Sequence, residues 1–411
     1  MLKHKRYDNN LNLIVSEGGA ISCSFAIVVG TGSVNERANQ NGISHFIEHV
    51  NFKGTKNYSV LQIPEIMESA GVNFNAYTSS EVTAYHVQTI KDSLEKSFEI
   101  MSEMVFSSVY PEEELEKERG VIIEEINMGE DTPDDVCYEL SMKAYFGDNG
   151  YGRSILGPKE NIERFSKSDV LEYLNDFYVA ENTAISFVGN ITLEEADALV
   201  QKYLLPIIKT GKTKKAPKYN VECLNKHLVK EKDIEQVQLA LKFPSRTSRD
   251  GKHLVSGAMA SILGGGMSSR LFRKVREELG LAYSVGSYAS PYQNAGTVNV
   301  FAGVNASNYQ TAYDAIFSVI KELQKTGVTE EELNKVKNQV KASTVYSQER
   351  PQTLALLYAR YYVLNGELYN FEKRIQDIES ITSSAINEEI NLLNENIMAS
   401  AVVGKNVKPL K

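Results

Sequence analysis

The chain has 411 residues, of which 42% are hydrophobic and 24% charged, a composition typical of a folded globular protein with enough length for two domains. Its longest apolar runs, such as residues 25–29, are far shorter than the roughly 20 residues that cross a bilayer, so we exclude a membrane-spanning protein. The net charge of −9 disfavours nucleic acid as a partner and favours neutral or basic ones.

Two features predict a cytoplasmic protein. The first residues, MLKHKRYDNNLNLIV, run directly into a strand-like pattern, without the apolar core of a signal peptide or an Arg- and Ser-rich transit segment. The three cysteines, Cys23, Cys137 and Cys223, are widely spaced and form no metal-type pair. We expect them to be inert buried thiols in a reducing compartment.

The first half of the chain alternates between two kinds of hydrophobic period. Apolar residues at every second position predict strands over 11–16, 22–30, 72–77 and 82–90. A period near 3.6 predicts helices over 42–52, 93–106 and 111–128. Short loops between consecutive strands indicate antiparallel pairing, with the helices on one face of the sheet, which is an α+β architecture.

The helix predicted over 42–52, GISHFIEHVNF, has an apolar stripe and a polar face, and Asn41 precedes it as an expected N-cap. At about 100° per residue, His45, Glu48, His49 and Phe52 fall on the face opposite the stripe. Two histidines one turn apart can bind one zinc ion, and the glutamate between them can accept a proton from a water molecule on the metal. This HxxEH order is the reverse of the HExxH zinc-protease motif.

A catalytic zinc normally has three protein ligands, so the two histidines need a third ligand from elsewhere in the chain. The predicted helix EEELEKERGVIIEEINM places Glu118 and Glu125 two turns apart along the flank of its apolar stripe, whereas Glu124 projects to the opposite side. Glu125 is therefore the better ligand, and Glu118 would orient a ligand from beside it. Most other acids of this helix are expected to form a solvated surface.

The segment KTGKTKKAPK, residues 209–218, interrupts the periodic pattern with five lysines, a glycine and a proline. A basic nucleic-acid patch is the alternative, but no aromatic residues are interleaved with these lysines. A linker fits better. We therefore expect a first domain over 1–208, a linker over 209–227 and a second domain over 228–411.

The two sides of this linker repeat each other. Three pairs of segments match. The first pair is EEELEKERGV with EEELNKVKNQV, the second is GISHFIEHVNFKGTKNYSV with GMSSRLFRKVREELGLAYSV, and the third is ENTAISFVG with ENIMASAVVG. The members of each pair come in the same order in both halves. The predicted fold is therefore two tandem homologous domains, each a mainly antiparallel sheet packed with helices.

The repeat also assigns the metal to one half. An offset of 225 residues places cations opposite the motif, and an offset of 218 residues places Ser343 opposite Glu125. The three cations, opposite His45, Glu48 and His49 respectively, are Arg270, Arg273 and Lys274. Cations cannot replace zinc ligands, so only the first domain is expected to bind the metal.

HFIEHVNFKGT, followed by EKERGVIIEEI, resembles the pitrilysin, insulysin and mitochondrial processing peptidase family of inverted-motif zinc peptidases. The resemblance extends over nearly the whole chain. NAYTSSEVTAY is similar to the family's strand beside the zinc, YGRSILGPKENI resembles the processing-peptidase branch, and REELGLAYSV matches a substrate-contacting segment of the second half.

The resemblance implies a role for each matching residue. His45, His49 and Glu125 would bind one Zn²⁺ per chain, Glu48 would be the general base and Glu118 a supporting acid. The implied substrate contacts are Asn75, Ala76, Arg276 and Tyr283. Phe52, on the ligand face of its helix, is a candidate wall of the substrate site.

The sequence thus predicts a zinc endopeptidase acting on peptides or unfolded segments, with basic peptides favoured by the acidic net charge. The alternative is a non-catalytic scaffold or partner subunit, since the resembled family includes inactive subunits. Long members of that family resemble four repeats closed around the substrate, whereas this chain has two. A homodimer is therefore expected.

Overall fold

The computed structural model describes residues 2–410, and its two compact units are each assembled from three stretches of chain. Unit 1 comprises residues 2–126, 154–218 and 345–369, and unit 2 comprises residues 127–153, 219–344 and 370–410. Among these residues no helix combines the length and apolarity needed to span a membrane.

Eleven strands and fourteen α-helices are defined among the described residues. The strands are β1 Leu2–Arg6, β2 Asn12–Glu17, β3 Ser22–Val29, β4 Asn73–Thr78, β5 Thr83–Ile90, β6 Thr183–Gly189, β7 His227–Glu231, β8 Gln236–Pro244, β9 Ala282–Pro291, β10 Gly296–Asn305 and β11 Ala399–Gly404. The helices are α1 Ile43–Val50, α2 Gln62–Ser69, α3 Lys91–Phe106, α4 Glu112–Asp131, α5 Pro133–Phe146, α6 Lys159–Ile162, α7 Lys167–Phe177, α8 Leu193–Leu199, α9 His253–Gly264, α10 Tyr309–Thr326, α11 Glu330–Ser347, α12 Pro351–Asn365, α13 Phe371–Glu379 and α14 Ser383–Ile390. The segments Val200–Leu204 and Phe272–Glu278 are π-helical.

Unit 1 contains a six-stranded sheet in the order β1-β2-β6-β3-β5-β4. All neighbours are antiparallel except β2 and β6. On one face, the rings of Phe25, Phe98 and Phe187 meet at centroid distances of 5.1 to 5.5 Å and join β3 and β6 to α3. Strand β4 lies at the end of the sheet, directly beside α1.

Unit 2 contains a five-stranded sheet in the order β7-β11-β8-β10-β9. Numbered within the unit, this is the order 1-5-2-4-3, which is also the order of β2 to β6 in unit 1. In both units the first and last strands of this set are parallel neighbours. The shared topology confirms the predicted duplication and the α+β class.

The prediction that helices cover only one face of each sheet is wrong. Helix α12, from the C-terminal part of the chain, packs on the second face of the unit 1 sheet, where Leu354, Ala355 and Tyr358 meet Ala26 and Val28. Helix α5, from the N-terminal part, packs on β8 and β11 of unit 2. The sequence division at the linker therefore differs from the compact units, because each sheet takes a covering helix from the other side of the linker.

Two of the three cysteines are as expected, and most of the predicted linker has no regular structure, although its last residue, His227, begins β7. Residues 212–225 contain no strand or helix. Cys23 and Cys137 are buried free thiols, whereas Cys223 is only partly buried. Burial raises the pKa of Cys137 to about 12, which keeps its thiol protonated and unreactive.

Lys242 is a buried lysine of β8 in unit 2. Its Nζ donates a hydrogen bond to Asn299 Oδ1 at 2.6 Å and lies 4.6 Å from the ring centre of Tyr138 on α5. Burial lowers the pKa of Lys242 from its ordinary value of 10.5 to about 7. When this buried amine carries a proton, the free energy of unfolding is lower than when it is neutral.

We expect Lys242→Met to raise the free energy of unfolding near pH 7 by about 1 to 3 kcal/mol, since a side chain of similar volume replaces a buried cation. Between about pH 7 and pH 10.5 the unfolded lysine binds a proton that the folded one does not, so the wild type gains stability as the pH rises. The advantage of the methionine variant should therefore shrink from pH 7 to pH 9.5. Urea unfolding at both pH values measures this difference, and an equal advantage at both would contradict it.

Candidate metal centre

The HxxEH segment forms the two-turn helix α1, with its apolar stripe in the core of unit 1. Ile43, Phe46, Ile47 and Val50 are fully buried. The helix begins after Gly42, whose backbone φ is +98°, so the N-cap is Gly42 and the prediction of Asn41 is wrong. His45 is also buried, at 7% exposure, although the helical wheel placed it on the polar face. Its ring lies against His49 and Glu125.

Two nitrogen atoms and one oxygen atom converge beside α1. His45 Nε2 lies 3.2 Å from His49 Nε2, and Glu125 Oε2 of α4 lies 3.6 Å from the first and 3.4 Å from the second. These are the atoms of the one group of His, Cys, Asp or Glu side chains within residues 2–410 that could hold a metal ion. Zinc with bonds of about 2.0 to 2.1 Å in tetrahedral geometry separates its ligand atoms by about 3.4 Å, so the residues fit zinc.

Glu118 holds the second histidine. Its Oε1 is 2.9 Å from His49 Nδ1, and its Oε2 is 2.5 Å from Lys53 Nζ. A carboxylate at Nδ1 assigns the proton to that nitrogen, which leaves the lone pair of Nε2 directed at the converging atoms. Although burial opposes it, the contacts with His49 and Lys53 lower the pKa of Glu118, so it stays ionised.

The two histidines have opposite electrostatic surroundings. Burial, together with the neighbouring His49, lowers the pKa of His45 to about 3. Burial acts in the same direction on His49, but the carboxylates of Glu118, Glu125 and Glu48 outweigh it and raise its pKa. His45 is thus a neutral imidazole, and the carboxylates give the centre the negative charge that favours a cation.

Glu48 lies beside this group and is oriented by the sheet. Thr78 Oγ1, on β4, donates a hydrogen bond of 2.6 Å to Glu48 Oε2. Burial raises the pKa of Glu48, and the hydrogen bond from Thr78 offsets part of that effect. Glu48 directly precedes His49 on α1, and the charges of His49 and Glu125 also act on its pKa, in opposite directions.

The predicted substrate residues fall into two groups. Asn75 and Ala76 lie on the edge strand β4, opposite His86 and Tyr85 of β5, and Asn75 Oδ1 accepts a hydrogen bond from Ala76 N at 2.8 Å. Phe52 is half-buried, and its ring stacks on that of Phe74 of β4, with 6.2 Å between the ring centres. All of them therefore belong to the surroundings of α1 in unit 1.

Arg276 and Tyr283 belong to unit 2, where the structure brings them together. The Arg276 guanidinium lies 5.6 Å from the ring centre of Tyr283 and 4.7 Å from that of Phe272. Tyr283 is 74% exposed. Both side chains therefore present accessible surface, on the π-helical segment and on β9 respectively.

Sequence reasoning missed Lys53 and Thr78. Lys53 follows His49 by four residues, a spacing that could have indicated a shared face, but α1 ends at Val50 and the position lies in a turn. Thr78 follows Ala76 by two residues, so strand alternation could have placed it on the same face of β4. No sequence signal connects it to Glu48, because that contact depends on how α1 packs on the sheet.

The sequence and fold match known proteins over nearly their full length. Residues 13–159 match the model of insulinase, peptidase family M16, and residues 164–340 match that of the peptidase M16 inactive domain. The chain is 32% identical over 391 residues to the uncharacterized zinc protease YmxG of Bacillus subtilis, covering 94% of each. This chain belongs to peptidase family M16. An uncharacterized zinc protease of Rickettsia bellii is 33% identical over 386 residues, covering 94% of this chain and 93% of that protein.

Two solved structures share the fold. A peptidase M16 inactive domain from Pseudomonas fluorescens superimposes with a TM-score of 0.91 at 19% identity, covering 100% of this chain and 99% of that one. A protease from Helicobacter pylori also gives 0.91, at 22% identity, covering 98% and 99%. The M16 fold therefore accounts for both units, and the converging His-His-Glu atoms lie in the part matched by the insulinase model.

Proposed function

We propose that this chain is a zinc-dependent endopeptidase that cleaves peptides or unfolded protein segments. The observation that carries the proposal is the convergence of His45 Nε2, His49 Nε2 and Glu125 Oε2 within 3.6 Å of one another, with Glu48 beside them. Three protein ligands leave a fourth position open, which is the pattern of catalytic rather than structural zinc. The zinc proteases among its relatives support the same conclusion.

Each of these side chains would have its own role in the reaction. His45, His49 and Glu125 would hold one Zn²⁺, which supplies Lewis acidity that polarises a peptide carbonyl and makes a water molecule more acidic. Glu48 would accept the proton of that water and return it to the leaving amine. Its raised pKa makes it a better proton acceptor, and Thr78 holds it in place. Glu118 keeps His49 in the tautomer that binds a metal.

Strand β4 is the proposed binding edge for the peptide. It pairs with β5 along one side and ends the sheet on the other. A substrate added as a further strand at Asn75 and Ala76 would be bound through its main chain, with little demand on its side chains. Phe52, stacked on Phe74, would form an apolar wall beside it. The net charge of −9 would favour basic peptides.

Digestion of an unfolded protein tests the proposal directly. Zinc-loaded protein should cut an unstructured polypeptide at internal bonds, and labelling of new N-termini followed by mass spectrometry should locate the cuts. A tightly folded protein of similar composition serves as the matched control. Zinc binding without any new N-termini would instead favour the non-catalytic scaffold.

We further propose that the chain works as a homodimer in which Arg276 and Tyr283 of one subunit serve the zinc centre of the other. The pair is exposed in unit 2, and the metal centre belongs to unit 1. The chain has two repeats, and a second copy would double that number in a symmetric assembly.

Mixing two inactive variants tests this assembly. Glu48→Gln lacks the base, and the double variant Arg276→Ala with Tyr283→Phe lacks the substrate contacts. A mixed dimer would regain one complete site out of two, so a freely exchanged equimolar mixture should recover about a quarter of the wild-type hydrolysis rate. Demonstrated exchange without recovery would contradict the shared site.

A further inference from the structure

A glutamate that plays no part in the chemistry above is buried at the start of α1. Glu36, from the loop after β3, is 0% exposed. Its Oε2 accepts hydrogen bonds from Gly42 N at 2.9 Å and from Asn41 Nδ2 at 3.0 Å, and its Oε1 accepts one from Ser44 N at 2.9 Å. The carboxylate thus accepts hydrogen bonds from main-chain N–H groups at the start of α1.

This arrangement replaces an ordinary helix cap. The N-cap residue of α1 is Gly42, which has no side chain, and the first turn contains no acidic residue. The unpaired N–H groups at a helix start need an acceptor, and a negative charge there is favoured by the helix dipole. Glu36 supplies both from six residues before Gly42. An eight-residue helix is too short to be stable by itself, so this anchor matters for its position.

The groups around the carboxylate are themselves held in place. The Tyr173 hydroxyl bonds Ser44 Oγ at 2.8 Å and Thr31 Oγ1 at 2.7 Å, and all three residues are buried. Gly42 has a φ of +98°, and a Cβ there would lie 2.6 Å from Leu156 O. The start of α1 therefore has one arrangement, with little room to shift.

The position of the first turn of α1 also sets the position of His45, which provides one of the converging atoms. His45 follows Ser44 directly, and its Nε2 has to stay near Glu125 Oε2, which belongs to a different helix, 3.6 Å away. Metal ligands must be held to within about 0.5 Å of their productive positions. Loss of the carboxylate would leave buried N–H donors without their acceptor, and the first turn would move to find others.

We propose that Glu36 is a positioning residue of the metal centre, which fixes the first turn of α1 and thereby sets the place of His45 relative to Glu125. The inference rests on the proposed function only in so far as the centre binds zinc. It predicts that a change at Glu36, which touches none of the converging atoms, weakens zinc binding.

Zinc affinity of Glu36→Gln, measured by competition with a chromophoric chelator, tests the proposal. The amide keeps the volume but turns an NH₂ group towards N–H donors. We expect the zinc dissociation constant to rise about 10- to 100-fold, the range seen when groups that orient ligands are removed. The absorption spectrum of the Co²⁺-substituted protein, which reports ligand geometry, should change as well.

Glu389→Gln is the matched control. Glu389 is likewise 0% exposed, but it lies in unit 2, where it accepts hydrogen bonds from Arg246 and Ser256. The Glu389→Gln substitution should lower the unfolding midpoint of the protein, while the zinc dissociation constant and the Co²⁺ spectrum stay as in the wild type. Equal weakening of zinc binding by both variants would mean general loosening and would overturn the proposal.

Two further outcomes are decisive. A folded Glu36→Gln protein with the wild-type dissociation constant overturns the proposal, and if this variant does not fold, Glu36→Asp, which keeps the charge but shortens the reach, is judged by the same criterion. A wild-type protein that binds zinc but cleaves nothing overturns the proposed function alone. The comparison of dissociation constants still decides the role of Glu36 in that case.

Discussion

Glu48→Gln should reduce peptide hydrolysis by about 10²- to 10⁴-fold and leave the zinc bound. Glutamine keeps the shape of the side chain and can still accept the hydrogen bond that Thr78 donates to Glu48 Oε2. Its amide cannot take a proton from water, so the chemical step loses its base. Zinc should stay bound, because Glu48 is not among the converging atoms.

Turnover and zinc content, measured on the same preparations, separate this effect from loss of the metal. His49→Ala is the companion variant, because it removes both a converging nitrogen and one of the two partners of Glu118. It should lose zinc and hydrolysis together. Near-normal turnover of Glu48→Gln would show that another group is the base.

Glu125→Gln should raise the zinc dissociation constant by more than about 100-fold, beyond the effect of removing a group that merely orients a ligand. Glu125 Oε2 lies 3.4 Å from His49 Nε2, and although its side chain is 45% exposed it reaches the converging atoms. Loss of its charge removes both a ligand and part of the negative potential of the centre.

Glu124→Gln is the matched control for Glu125→Gln, since it makes the same chemical change one residue earlier on α4. Glu124 is exposed and is not among the converging atoms. Its zinc affinity should equal that of the wild type. Equal weakening in both variants would mean that the metal is held by the charge of the helix and not by Glu125.

The helices and strands near the centre could be predicted because their patterns are local. The apolar stripe of α1 and the alternation of β3 to β5 place these elements within three residues of their observed bounds. The pairing of His45 and His49 follows from one turn of helix. The predicted N-cap was wrong because Gly42, with a positive φ, is the N-cap; a Cβ there would meet Leu156 and Gly157, which no local pattern reveals.

What the sequence could not reveal depends on contacts between distant segments. No local pattern says that α12 covers the sheet of unit 1 or that α5 covers that of unit 2. The same holds for Thr78 with Glu48 and for Glu36 with the start of α1. These contacts join segments whose side chains carry no signal of their partner.

Titration of zinc into chelator-stripped protein, with the hydrolysis rate of an unstructured peptide as the readout, tests whether this chain is a zinc peptidase. Without metal there should be no hydrolysis, and the rate should rise linearly until one zinc per chain is bound, with no such rise for His49→Ala. Hydrolysis that survives complete removal of the metal, or full zinc occupancy without any hydrolysis, would contradict it.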